Sequence, residues 1–340
     1  MPQLELTRLE RYLQANIAGF VPPLRVNRIS GGQSNPTYLL ASTDGTRRVL
    51  RKKPEGDLLP SAHAVEREYR VMSALRETDV PVPKALCLCE DATVVGTPFY
   101  VMEHVAGRVL WDPALPGMDV GQRRALYDDM NRVVAALHRV DHRKVGLEGY
   151  GRGENFLQRQ IVRWTRQYQA SATEPIPAMD RLIEWLPAHI PAGEETCVFH
   201  GDLRLDNMIF DATAPRVRAV LDWELSTLGH PLADFAYHAL PWRLAADEFR
   251  GMAGNDFAAL GIPTEAEYLQ TYCRRVGREA IDPAQWEVYL AYAMFRLAAI
   301  LQGIMKRAID GNASSPEAIA TGSRARLIAE VAWRQVATHF

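Results

Sequence analysis

Between Val198 and Asp222 the chain carries three oxygen-bearing side chains whose spacing could do chemistry: Asp202, Asn207 and Asp222. Val198-Phe199 leads into the polar loop His200-Gly201-Asp202, Met208-Ile209-Phe210 follows Asn207, and the run Val217 to Leu221 ends at Asp222. Short β-rich runs broken by polar loops predict a small hairpin region. Such a hairpin could hold the three groups near one point. Two carboxylates and an amide oxygen are hard ligands that suit Mg²⁺. Magnesium held this way usually completes its shell with phosphates. Phosphoryl transfer needs one carboxylate to orient the attacking hydroxyl, and an Asn with a second Asp to hold the metal. The bland alternative is a surface turn rich in Asp and Asn, which such residues favour through local hydrogen bonds.

Several elements would have to position this loop. Leu4 to Ile17 has apolar residues at helical spacing and stops at Pro22-Pro23. Leu24 to Ser30, Tyr38 to Ser42 and Arg48 to Arg51 read as a three-strand meander, with the Asp44-Gly45 hairpin signal between the second and third. The loop Gly31-Gly32-Gln33-Ser34-Asn35 joins the first two, and its glycines would let backbone N–H groups approach a phosphate. The third strand ends in Arg51-Lys52-Lys53, three cations of which the sequence does not select one. Ser61 to Thr78 predicts a helix with a Val65, Tyr69, Met72, Leu75 stripe and with Glu66 and Glu68 beside it. Leu86 to Glu90 and Pro98 to Glu103 predict two more strands. From Gln122 the chain turns helical, with helices expected over Asn155 to Tyr168, Met179 to Leu186, Glu265 to Val276, Pro283 to Ile309 and Pro316 to His339. His138 reads as a packing histidine.

The pattern His-x-Asp, Asn five residues after the Asp, and a later Asp resembles the catalytic and metal loops of protein kinases. The variants His200-Gly201-Asp202 and Asp222-Trp223-Glu224, with Gly229-His230-Pro231 before Asp234-Phe235-Ala236, look like the aminoglycoside phosphotransferase family. The resemblance covers nearly the whole chain. It implies an α+β, two-lobed, protein-kinase-like fold: residues 1–105 a nucleotide-binding lobe with a five-stranded antiparallel sheet and one main helix, residues 106–340 a larger, mostly helical catalytic and acceptor-binding lobe. It implies Asp202 as catalytic base and Asn207 and Asp222 as Mg²⁺ ligands, with ATP in the cleft. Gly31, Gly32, Ser34 and Asn35 would cover the phosphates. Arg51 stands where the family places its phosphate-binding cation, Lys52 and Lys53 remaining open, and Glu68 would hold that cation. The backbone near Glu103 and Val105 would meet the base. Asp234 would fix the catalytic loop through backbone N–H groups, and Glu224, two residues after Asp222, could lie near the metal or point to solvent, the second being the preferred reading. The segment Arg51 to Arg70 resembles the kinase-like N-terminal domains of certain multidomain acyl-CoA dehydrogenases. With no dehydrogenase part expected here, this favours a hydroxyacyl acceptor, perhaps as its CoA thioester, over an antibiotic.

Composition narrows the partners. Among 340 residues, 47% are hydrophobic and 24% charged, an ordinary globular balance. The net charge of −2 gives no support for a nucleic-acid or membrane-surface partner, and no protein partner is evident. Four cysteines without zinc spacing, and no secretory pattern at Met1 to Arg11, lead to a cytoplasmic expectation. Pro283 to Ile309 is interrupted by charges and is expected to be a core helix. From Pro241 to Phe340 eleven cations balance eleven acids, a poor match for a polycationic acceptor. Two other readings stand: an aminoglycoside kinase, and a pseudokinase-like nucleotide-binding module, against which the intact Asp202, Asn207 and Asp222 argue. A protein kinase is disfavoured by Gly201, where such enzymes carry Arg, and by the absence of a long segment after Asp222.

Overall fold

In the computed structural model, residues 6–29, 35–56, 63–313 and 315–340 are described. The described elements run α1 (Leu6–Asn16), β1 (Leu24–Arg28), β2 (Thr37–Ser42), β3 (Arg47–Lys52), α2 (Val65–Leu75), β4 (Ala85–Cys89), β5 (Phe99–Glu103), β6 (Arg108–Val109), α3 (Val120–His138), α4 (Phe156–Ser171) and α5 (Pro177–Trp185). There follow β7 (Cys197–Phe199), β8 (Met208–Phe210), β9 (Val217–Val220), β10 (Thr227–Gly229), α6 (Pro231–Ala239), α7 (Ala246–Phe249), α8 (Phe257–Leu260), α9 (Glu265–Val276), α10 (Pro283–Ile309), α11 (Ala318–Gly322) and α12 (Arg324–His339). The chain divides into two compact units. The first is the chain through Gly107 together with Arg218–Leu225; the second is Arg108–Val217 with Ser226–Phe340. The return of Arg218–Leu225 to the first unit is not anticipated by a linear division at residue 105.

In the first unit β1 to β5 form one antiparallel sheet in the order β1-β2-β3-β5-β4. Strand side chains alternate between faces. Leu40, Leu50, Phe99 and Val101 pack with Leu9 and Leu13 of α1 in a buried cluster. Arg51, one residue after Leu50, therefore belongs to the opposite face, beside its register partner Tyr100. On that face α2 packs against β4 and β5, burying Val65, Glu68, Val71, Met72 and Leu75.

The second unit is built on α10, 27 residues long, which packs against α4, α6, α11 and α12. Its start is set locally: Asp282 accepts from the Gln285 N–H and Pro283 occupies the first helical turn. By length and composition α10 could cross a membrane, yet 83% of its most apolar window is buried, the signature of a core helix. Thr264 and Glu267 close a capping box that starts α9.

One expectation fails in this unit. The helix expected over Pro316 to His339 is two helices, α11 and α12, separated at Ser323. Gly322 approaches the α10 backbone so closely that an added Cβ would lie 2.7 Å from the Met305 Cα, so this packing, absent from any local pattern, sets where α11 ends. β7 pairs antiparallel with β10, a stretch not read as a strand, while β8 pairs with β6. Three-residue strands carry too little periodicity to name their partners, which tertiary packing selects.

Candidate active site

In the first unit the three cations take different partners. Arg51 Nε lies 3.1 Å from Glu68 Oε2, and its Nη2 donates to Asp222 Oδ1 at 2.8 Å and to Glu224 Oε2 at 3.2 Å. Lys52 points to the other face, where Nζ donates to the Val95 carbonyl at 2.8 Å and to Glu55. Lys53 pairs with Glu66 at 2.9 Å. Burial disfavours the charge on Arg51, but Glu68 and Asp222 outweigh it and raise the guanidinium pKa above its ordinary value. Glu68 is itself braced: it accepts from Tyr100 Oη at 3.0 Å and from Asn35 Nδ2 at 2.8 Å. Asn35 Oδ1 faces His63 Nδ1 at 2.9 Å, so this side chain is engaged in holding Glu68. Gly31, Gly32 and Ser34 lie outside the described residues.

Asp222 follows β9 with φ +64°, a left-handed conformation that Asp tolerates better than most residues. The buried Trp223 donates from Nε1 to the Val220 carbonyl at 3.0 Å and braces the turn. Of the two readings of Glu224, the one that points it to solvent does not hold. Its pairing with Arg51 makes it part of the same cluster, because the turn after Asp222 brings residue 224 back toward β3. Glu103 ends β5 with its N–H donated to the Lys84 carbonyl at 2.9 Å, and Val105 follows it, half-buried.

In the second unit, the loop 200–207 is fastened from below by Asp234, fully buried near the start of α6. Its carboxylate accepts from the His200 N–H at 2.7 Å and the Gly201 N–H at 3.0 Å, and faces His138 Nε2 at 3.3 Å. Burial alone would raise the Asp234 pKa; His138 and the His200 amide reverse that and lower it. Gly201 has φ +86°, which a side chain would strain. Its carbonyl accepts from Arg296, a guanidinium buried in α10 over the rings of Trp164 and Tyr237. His138 also meets Tyr272 Oη at 2.7 Å, as a satisfied packing histidine should.

Asp202 is the most heavily coordinated group of this loop. Arg204 grips it with two hydrogen bonds, Nε to Oδ1 at 2.8 Å and Nη2 to Oδ2 at 3.0 Å. Asn207 Nδ2 donates to Asp202 Oδ2 at 2.8 Å and to its carbonyl at 2.7 Å. Against the effect of burial, Arg204 above all, with Arg296 and His200, holds the carboxyl below its usual range. Beside the loop lies a cavity of about 50 Å³, lined mainly by apolar groups including Trp111, Met130, Trp242 and Phe249, with Arg204, Asp206 and Arg250 as its charged members. Sequence reasoning gave no role to Arg204, Tyr237 or Arg296. The signal for Arg296 was present: a lone cation within an apolar helix must find a buried partner.

Residues 25–286 match the model of the phosphotransferase enzyme family. The chain belongs to this family. A Ralstonia eutropha JMP134 protein assigned to the aminoglycoside phosphotransferases is 52% identical and superposes with a TM-score of 0.91, over 99% of this chain and 100% of that one. Mouse acyl-CoA dehydrogenase family member 10 is 47% identical over 96% of this phosphotransferase-family chain, and rat family member 11 is 42% identical over 97%. The chain spans only 30% and 43% of the length of these two curated relatives. The fold is the kinase-like fold of aminoglycoside phosphotransferases.

Proposed function

We propose that the chain transfers a phosphoryl group from ATP, in the presence of Mg²⁺, to a hydroxyl on a small acceptor with an apolar arm, in the hydroxyacyl class. The observation that carries the reading is the completeness of the charge set. Arg51, Glu68 and Asp222 are mutually engaged in one unit, and Asp202 and Asn207 are joined in the other. A module that only bound nucleotide would have no use for a carboxylate held as Asp202 is.

In this reading Arg51 engages phosphate oxygens, and Glu68 keeps its guanidinium aimed. Asp222 and Asn207 would hold the metal. The residues fit it: both offer hard oxygens, and because Asn207 Nδ2 is committed to Asp202, Oδ1 is the atom left for a cation. When bound, Mg²⁺ would offset the charge of the phosphate oxygens. Asp202 orients the acceptor hydroxyl and takes its proton as the bond to phosphorus forms. Catalysis of this kind rests on positioning and charge stabilisation.

Two observations favour the acceptor class. The cavity beside Asp202 is apolar, and its charged members are two arginines and one aspartate, a poor site for several ammonium groups. The mouse and rat relatives are named for acyl-CoA dehydrogenases, which favours an acceptor that travels with acyl-CoA chemistry. The test is ³¹P detection of product from Mg·ATP or Mg·GTP with hydroxyacyl-CoA thioesters of graded length, beside kanamycin-like aminoglycosides. Chain-length-dependent phosphorylation of the thioesters is expected. Efficient phosphorylation of the aminoglycosides with none of the thioesters would overturn the acceptor class.

A further inference from the structure

The Asp202 carboxylate is already held at both of its oxygens. An ionised carboxylate offers about four lone-pair positions. Arg204 takes two, one on each oxygen, and Asn207 Nδ2 takes a third. Open access for a hydroxyl to these oxygens comes when one of the partners moves. Asn207 sits in the turn closed by its N–H to the Arg204 carbonyl. Arg204 has the freedom to move: its side chain is 28% exposed, it lines the apolar cavity, and a second carboxylate is close, with Nη1 3.5 Å from Asp206 Oδ2.

Asp206 completes a line of alternating charge. Its side chain is only 9% exposed, and it also pairs with Arg250. The Arg250 guanidinium lies 5.0 Å from the centre of the Trp111 ring, and Trp111 is itself a cavity wall and 60% exposed. The order is Asp202, Arg204, Asp206, Arg250, Trp111, all within the second unit. A nearly buried carboxylate keeps a cation partner because leaving it unpaired is costly. A ligand that fills the cavity and draws Arg250 off Asp206 leaves Arg204 as the cation at hand.

We propose that Arg204 guards the catalytic carboxylate: with the cavity empty it occupies the positions on Asp202 that a hydroxyl needs, and with the acceptor's apolar arm in the cavity it moves to Asp206. The guard keeps water from being oriented for attack on the nucleotide while no acceptor is present. Arg204 and Asp206 are then positioning residues, acting through Asp202. The inference rests on the phosphotransfer reading above and goes beyond it in saying how the site discriminates acceptor from water.

The test is a double-mutant cycle in the full chain with Mg·ATP. Arg204→Gln, Asp206→Asn and the double variant are assayed for ATP hydrolysis without acceptor, and for phosphorylation of 3-hydroxyoctanoyl-CoA. Arg204→Gln is expected to raise acceptor-free hydrolysis about fivefold or more. Asp206→Asn, which removes the alternative anchor, is expected to lower turnover about tenfold with Arg204 present and to have no effect in the Arg204→Gln background. A fall in hydrolysis in Arg204→Gln, or an Asp206→Asn cost equal in both backgrounds, overturns the guard. If the wild-type chain turns over no nucleotide at all, the phosphotransfer reading itself falls. The grip is then read directly from the arginine Nε–H resonances of the nucleotide-free protein. The signal missing in Arg204→Gln should shift in Asp202→Asn, and an unmoved signal overturns the clamp.

Discussion

Asp234→Asn should loosen the 200–207 loop and destabilise the second unit together. The native carboxylate is fully buried and takes two backbone N–H groups, from His200 at 2.7 Å and Gly201 at 3.0 Å, with His138 Nε2 at 3.3 Å. Asn keeps one accepting oxygen and turns an NH₂ toward a backbone N–H. One charge-assisted hydrogen bond is lost, worth about 1.5–3 kcal/mol, and one buried N–H is left unsatisfied, at about 1–3 kcal/mol. The two describe partly the same loss, so the expected cost is about 3–4 kcal/mol, in line with breaking a buried charged pair. At about 2–4 °C per kcal/mol for a unit of this size, Tm should fall by roughly 10 °C. Urea unfolding gives the free energy, and hydrogen exchange of the His200 and Gly201 amides gives its location. A cost below about 1 kcal/mol with those amides still protected would refute the reasoning.

Asp202→Asn should lower phosphoryl transfer by about 10²–10⁴ while nucleotide binding survives, as steady-state kinetics beside calorimetry would report; near-normal turnover would remove Asp202 from its role. Asp222→Ala should abolish the Mg²⁺ dependence of nucleotide binding and deprive Arg51 of one partner, which titration calorimetry at varied Mg²⁺ checks. Acid should destabilise the fold through two histidines. Burial lowers the pKa of His230 and of His238 from 6.5 to about 4, so the unfolded chain binds more protons than the folded one between these values. Stability is fully present above pH 6.5 and is lost as pH falls toward 4, by up to about 3 kcal/mol for each histidine. His238 is held by the Leu203 carbonyl and Tyr268 Oη, and in His238→Gln the slope of Tm against pH across that window should flatten.

The sequence determined the elements and the chemistry they carry. Apolar alternation and stripes marked the five strands of the sheet, the α2 helix and α10, because those patterns follow from the geometry of strand and helix themselves. The fastening role of Asp234 was legible through the resemblance carried by Gly229-His230-Pro231 and Asp234-Phe235-Ala236, and its bonds to the His200 and Gly201 N–H groups agree with it. That Arg51, and not Lys52 or Lys53, pairs with Glu68 needed the folded contacts, since Lys52 turns to the other face of β3 and Lys53 takes Glu66 instead. The pairing of β7 with β10, the break at Ser323 and the inclusion of Glu224 in the Arg51 cluster depend on contacts between residues far apart in sequence. The line from Asp202 through Arg204, Asp206 and Arg250 to Trp111 is of the same kind. It joins residue 111, a loop near 204 and a turn at 250, and only the packed second unit brings those segments together.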